Sequence, residues 1–127
     1  MQSRQIQAMH WFLIIVFDLL AMNRLAEIHK FLKDSPDDPF LHYALAQECT
    51  KMGNVTIALL EYFWLAKNHP MYVATYYHLG KLLIEVGKKK EAMQWYNTGI
   101  SIATQLKEQH TLSELQSAKM NLEYGED

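Results

Sequence analysis

Cysteine is almost missing from this 127-residue sequence. Cys49 stands alone, so no internal disulfide can form and nothing demands an oxidising compartment. Three prolines and five glycines leave long stretches free to be helical. No segment alternates with the two-residue period of a strand, and no glycine-rich hairpin loop occurs. A surplus of one charge is missing too. Twelve basic residues against fourteen acidic ones give a formal net charge of −2, without the basic stripe that nucleic acid requires. Motifs for nucleotides, serine hydrolases and zinc hydrolases are absent, so an enzyme is not expected. What is present is apolar content: half of the residues are apolar and a fifth are charged, the balance of one folded domain.

The first 21 residues differ from the rest. Arg4 precedes the run Trp11-Phe12-Leu13-Ile14-Ile15-Val16-Phe17, which Asp18 interrupts before Leu19-Leu20-Ala21. That run is shorter than the roughly 20 apolar residues of a membrane span. Its length suits the core of a signal peptide, but Leu19 stands where a small residue would precede cleavage after Ala21. Three readings stay open: translation from Met22, an export or anchoring segment, and an ordinary packed helix. Residues 1–21 are therefore taken as an apolar extension and 22–127 as a helical domain, for which a cytoplasmic location is expected.

Aligning the chain with itself at an offset of 34 pairs Pro36 with Pro70, Leu45 with Leu79, and Ala46 with Gly80. The same register pairs Gly53 with Gly87, Ala58 with Ala92, and Tyr62 with Tyr96. Each landmark has a role in a pair of antiparallel helices. A bulky leucine beside a small residue lets the second helix approach closely. Gly53 and Gly87 end the first helices in the left-handed conformation, and Asn54 can cap the helix that follows. Ala58 and Ala92 face the first helices, Tyr62 and Tyr96 fill the space between pairs, and the prolines stop the preceding helices.

In period and in the order of these residue types the chain resembles the tetratricopeptide repeat family, over residues 36–69 and 70–103. The fold class expected is all-α, an α-solenoid of antiparallel helix pairs with a C-terminal capping helix. Residues 23–33 look like the second helix of a worn preceding repeat, with Leu25, Ile28, Phe31 and Leu32 on one face, and one helix could run from Arg4 to Lys33. Thr104 replaces the expected proline, so the last repeat should continue to about Lys107, and Gly99 within it suggests a close backbone neighbour. Thr111-Leu112-Ser113-Glu114 reads as a capping box that opens a final helix over residues 111–123.

The resemblance implies that the first helix of each repeat lines a concave groove for a peptide or partner helix. Carried over by position, the groove residues are Phe40, Tyr43, Gln47 and Lys51, then Tyr77, Lys81, Ile84 and Glu85, with Thr50 and Ala74 beside them. The bland alternative is that the N-terminal helix fills the groove and the tyrosines are core. Family members that clamp chaperone-tail carboxylates use lysines and asparagines in the groove. Here Tyr43 and Gln47 occupy such sites and Lys81 alone is positive, which argues against that ligand. The function expected is a non-catalytic adaptor binding a protein or peptide. The rival is a structural protein that self-associates, as a homodimer for example, or tethers to a membrane complex through its N-terminus.

No cofactor is expected. His10, His29, His42, His69, His78 and His110 include no pair four residues apart and no neighbouring ligand set, so a metal site is not expected either. Cys49 has no partner base and reads as a packed thiol. Lys88-Lys89-Lys90 reads as a solvated turn.

Overall fold

The computed structural model describes residues 2–125, which form six helices and, among the described residues, no strand. They are α1 (Gln2–Asp34), α2 (Pro39–Lys51), α3 (Val55–Asn68), α4 (Ala74–Glu85), α5 (Lys89–Leu106) and α6 (Gln109–Glu123). The pairs α2/α3 and α4/α5 are the two repeats. Neighbouring helices pack in chain order, and α4 also reaches α6, as a stack of hairpins requires.

The landmark residues occupy the places their chemistry suggests. Leu45, Ala46, Ala58 and Tyr62, with Leu79, Gly80, Ala92 and Tyr96, are all buried. Gly53 and Gly87 take φ of 79° and 82°, where a side chain would be strained. Each glycine is followed by an amide that donates back to a carbonyl five residues earlier, Asn54 to Cys49 and Lys88 to Leu83, both at 2.8 Å. The Asn54 side chain accepts from the Ile57 amide at 3.3 Å and Asp38 accepts from the Phe40 amide at 2.9 Å, so these two helix starts are capped.

Three expectations need correction. The third turn has no glycine, yet it closes in the same way: Lys107 takes φ 60° and Glu108 donates to Ala103 at 2.9 Å. That left-handed residue reverses the chain early, so α6 opens at Gln109 with no side-chain cap. Thr111 is already inside the helix, and the capping box with Glu114 does not form. Phe31 does not join the inward face of α1; it is 57% exposed, while Leu25, Ile28 and Leu32 pack on the core. The N-terminal helix does not fill the groove either. It is one unbroken helix of 33 residues, about 50 Å long, none of them buried, and it packs chiefly on α2.

At its base α1 is fastened by Leu25, Ile28 and Leu32, and by Arg24, whose Nε lies 3.1 Å from Oε1 of the buried Glu48. Beyond that the helix stands free. No helix among the described residues is long and apolar enough to cross a membrane.

Candidate functional site

The first helices of the repeats, α2 and α4, lie beside each other, and α6 takes the place where the first helix of a third repeat would stand. Between α4 and α6 the chain leaves a cleft of about 430 Å³. One wall carries Tyr77, Lys81, Ile84 and Glu85 from α4; the other carries His110, Ser113, Glu114, Ser117, Ala118 and Asn121 from α6. Tyr96 from α5 closes the floor. Ile84, Ala118 and the tyrosine rings give an apolar interior, and the charges sit at the rim. Lys81 Nζ lies 5.5 Å from the centre of the Tyr77 ring, and His110 Nε2 lies 3.0 Å from Glu114 Oε1.

Four of the eight positions read from the sequence thus converge on one cleft: Tyr77, Lys81, Ile84 and Glu85. The four on α2 do not line it. Phe40 is 62% exposed near the start of α2, and Lys51 is exposed at its end, 3.5 Å from Glu48. Tyr43 and Gln47 are half-buried in a polar knot between the repeats. Tyr43 donates its hydroxyl to His78 Nε2 at 3.0 Å, and Gln47 Nε2 donates to the Tyr43 hydroxyl at 2.7 Å. The His78 ring also stacks on the buried Tyr62 at 5.9 Å and meets Tyr77 edge-on at 5.3 Å. This knot connects α2 to the cleft through adjacent residues of α4.

The α6 wall is what sequence reasoning missed. The sequence pattern assigns Glu114 to helix capping, whereas its place in the cleft follows from the early start of α6. The available signal was the capping helix itself: in a stack of hairpins, a helix that follows a complete repeat occupies a first-helix position and contributes a groove face.

Burial pushes the His78 pKa down from its usual value, opposed in part by Glu114 and assisted by Lys81. The same desolvation raises Tyr43 and drives Tyr62 higher still. The neutral imidazole therefore accepts from Tyr43, and protonation would remove that acceptor. A histidine with a depressed folded pKa favours folding above its unfolded pKa and costs stability as pH falls below it. Melting temperature is thus expected to fall between pH 7.5 and pH 5.5, and less steeply in His78→Gln. Identical slopes in the two proteins would show that His78 carries none of the pH dependence.

The remaining histidines are dispersed. His42 lies with Nδ1 2.6 Å from Glu61 Oε2 and Nε2 2.6 Å from the Pro36 carbonyl oxygen, its ring stacked on Trp64 at 3.6 Å. Among the described residues no three His, Cys, Asp or Glu side chains gather as metal ligands. Cys49 is buried, and its thiol is pushed up by burial and then by Glu61 and Glu48, the reverse of what a nucleophile requires.

Comparison with known proteins bears on the same elements. A tetratricopeptide repeat family model matches residues 73–106, which hold α4 and α5. A tetratricopeptide repeat domain protein of Salinibacter ruber is 45% identical. Its crystal structure is matched over 68% of this chain and 96% of that one, with a TM-score of 0.66. Its solution structure is matched over 69% and 89%, with a TM-score of 0.67. The cell division cycle protein 27 homolog of Caenorhabditis elegans is 41% identical over 46 residues, 36% of this chain but 6% of that protein. A protein of Bordetella parapertussis at 22% identity, covering 80% of this chain and 88% of its own, shares the fold with a TM-score of 0.69.

Proposed function

The chain belongs to the tetratricopeptide repeat family, and from that premise we propose that it is a non-catalytic adaptor whose α4/α6 cleft receives a peptide or helix of a partner protein. Repeats of this family generally mediate protein–protein interactions and are typically scaffolds. The observation that carries the reading is the convergence of Tyr77, Lys81, Ile84 and Glu85 with the α6 wall on one cleft of about 430 Å³. A volume of that order suits one or two large apolar side chains and falls within the range of ordinary ligand sites. The rim selects what flanks such an anchor. Lys81 and Glu85 on the α4 side, with Glu114 opposite on α6, favour a segment carrying both signs of charge. A terminal carboxylate would meet two carboxylates beside one lysine, which disfavours a chaperone-tail ligand.

The test is selection of binders from a random peptide display library on the full chain, followed by titration of the recovered peptide. Tyr77→Ala and Lys81→Glu are each expected to weaken binding about tenfold or more, the loss typical of an interface anchor, with melting shifted by only a few degrees. Tyr43→Ala is a different kind of variant: it unpicks the His78 knot and is expected to lower melting as well. Peptides that bind both cleft variants as tightly as the parent chain would place recognition elsewhere.

A further inference from the structure

We propose that α1 is a dimerisation arm, whose apolar segment from Ile6 to Met22 pairs antiparallel with the same segment of a second copy of this chain, the twofold axis passing near Trp11. The two ends of the stack are finished differently. At the C-terminal end α6 buries Leu115 and exposes Gln109, Gln116 and Glu123 away from the cleft, with Met120 as the one large apolar residue among them, so that end is closed by a mainly polar face. At the N-terminal end the described residues form no such closure. Eleven large apolar residues between Ile6 and Met22 are each more than a third exposed, Trp11, Phe12 and Phe17 by 63%, 66% and 66%. Together they present on the order of 1,000 Å² of apolar surface, above the few hundred Å² usual for a monomer's largest patch. The face that carries Phe12, Ile15, Leu19 and Met22 is about half of that surface, less than the roughly 800 Å² each partner contributes to a standard interface, so the pairing is a reversible one.

The repeat register shows why an ordinary neighbouring repeat does not fit there. At an offset of 34, Ala58 and Leu65 of α3 correspond to Arg24 and Phe31 of α1. Ala58 and Leu65 are buried, whereas Phe31 is exposed and Arg24 carries a half-exposed guanidinium to Glu48. A large charged side chain at the close-approach position leaves no room for a first-type helix. The apolar surface is left to the arm itself.

Charge selects the occupant and the orientation. Between residues 2 and 23 the only formal charges are Arg4 and Asp18, fourteen residues or about 21 Å apart and on nearly the same side of the helix. Trp11 lies midway between them. Two arms running antiparallel about Trp11 place each Arg4 opposite the other copy's Asp18, twice by symmetry. A parallel pair would set arginine against arginine and aspartate against aspartate. The stripe Ala8, Phe12, Ile15 and Leu19 follows the alternating four- and three-residue spacing of a helix-pair seam beside those charges. About Trp11 it sets the small Ala8 beside the large Ile15 of the other arm.

Sedimentation equilibrium of the full chain over a hundredfold concentration range tests this, with a monomer–dimer equilibrium expected. Arg4→Glu alone and Asp18→Arg alone should each weaken dimerisation about tenfold, and the two together should restore it. In a Cys49→Ser background, Phe12→Cys should give a disulfide-linked dimer on mild oxidation and Leu19→Cys should not, because Leu19, on the same seam, is remote from its counterpart only in the antiparallel pair. The segment from Ile6 to Met22 packs against neither core cluster, so circular dichroism melting of the repeats serves as the folding control. A monomer at every concentration overturns the proposal, and flotation of that monomer with phosphatidylcholine vesicles would assign the arm to a lipid surface instead. Equal crosslinking at both positions overturns the antiparallel pairing.

Discussion

Replacing Gly99 by leucine is expected to destabilise the fold by about 3 kcal/mol, at the upper end of what overpacking a core costs. The substitution looks conservative on the repeat pattern, since Leu65 stands at the equivalent position of the first repeat and is fully buried there. The surroundings differ. An added Cβ at Gly99 would lie 2.6 Å from Tyr76 Cβ and 3.0 Å from Leu115 Cδ1. A ring can swing aside, but a Cβ is fixed to its backbone, so relief requires α4 and α5 to separate. Tyr76 cannot yield readily in any case: its hydroxyl donates to the Pro70 carbonyl at 2.5 Å and its ring stacks on Trp95 at 5.9 Å. Even Gly99→Ala, which gains about 1 kcal/mol of helix propensity, should lower stability. Thermal denaturation checks both, with a fall of about 10 °C expected for leucine and a smaller one for alanine. A leucine variant as stable as the parent chain would mean that α4 and α5 are not held at this distance.

Leu115→Ala should cost a similar amount, about 3 kcal/mol, in the middle of the range for deleting a buried leucine side chain. Leu115 is the one buried residue of α6 and packs with Tyr76, Tyr96 and Ala103. Its loss weakens the helix that closes the C-terminal end, and the effect should be local as well as global. Amides of α6 are expected to exchange faster than those of α2 and α3, and any peptide that binds the cleft should lose affinity because one wall is no longer held. Leu112→Ala, at a half-buried position, should cost less. Unchanged protection of α6 in Leu115→Ala would show that the wall is held by other contacts.

Most of the repeat was legible because its determinants are local. Gly53 and Gly87 end helices through their own backbone freedom, Asn54 caps an amide three residues away, and the alanine–tyrosine spacing describes one helix face. None of these depends on how distant elements are arranged. The turn at Lys107 shows the boundary of that logic. A left-handed lysine has no signature of its own, and the pull of Leu115 into the space beside Gly99 and Tyr76 fixes where α6 begins. A shift of two residues in that start released Glu114 from the expected cap and gave it to the cleft.

The groove residues divide for the same reason. By period alone, Tyr43 and Tyr77 are equivalent, as are Gln47 and Lys81. In the folded chain the α2 members face His78 and the next repeat, whereas the α4 members face α6. A 34-residue pattern states which positions lie on the inner side of each hairpin; it does not state what stands opposite.

By itself, then, the sequence determined an all-α stack of two helical hairpins with a long N-terminal helix and a closing C-terminal one, because periodicity, turn glycines and buried alanines act within a single hairpin. Tertiary structure alone decided that four of eight inner positions form the cleft, that α6 supplies its second wall, and that the apolar residues from Ile6 to Leu20 stay largely exposed among the described residues. Those outcomes depend on the distance and rotation between helices far apart in sequence, which Gly99, Tyr76 and Leu115 set by close packing and which no local pattern encodes.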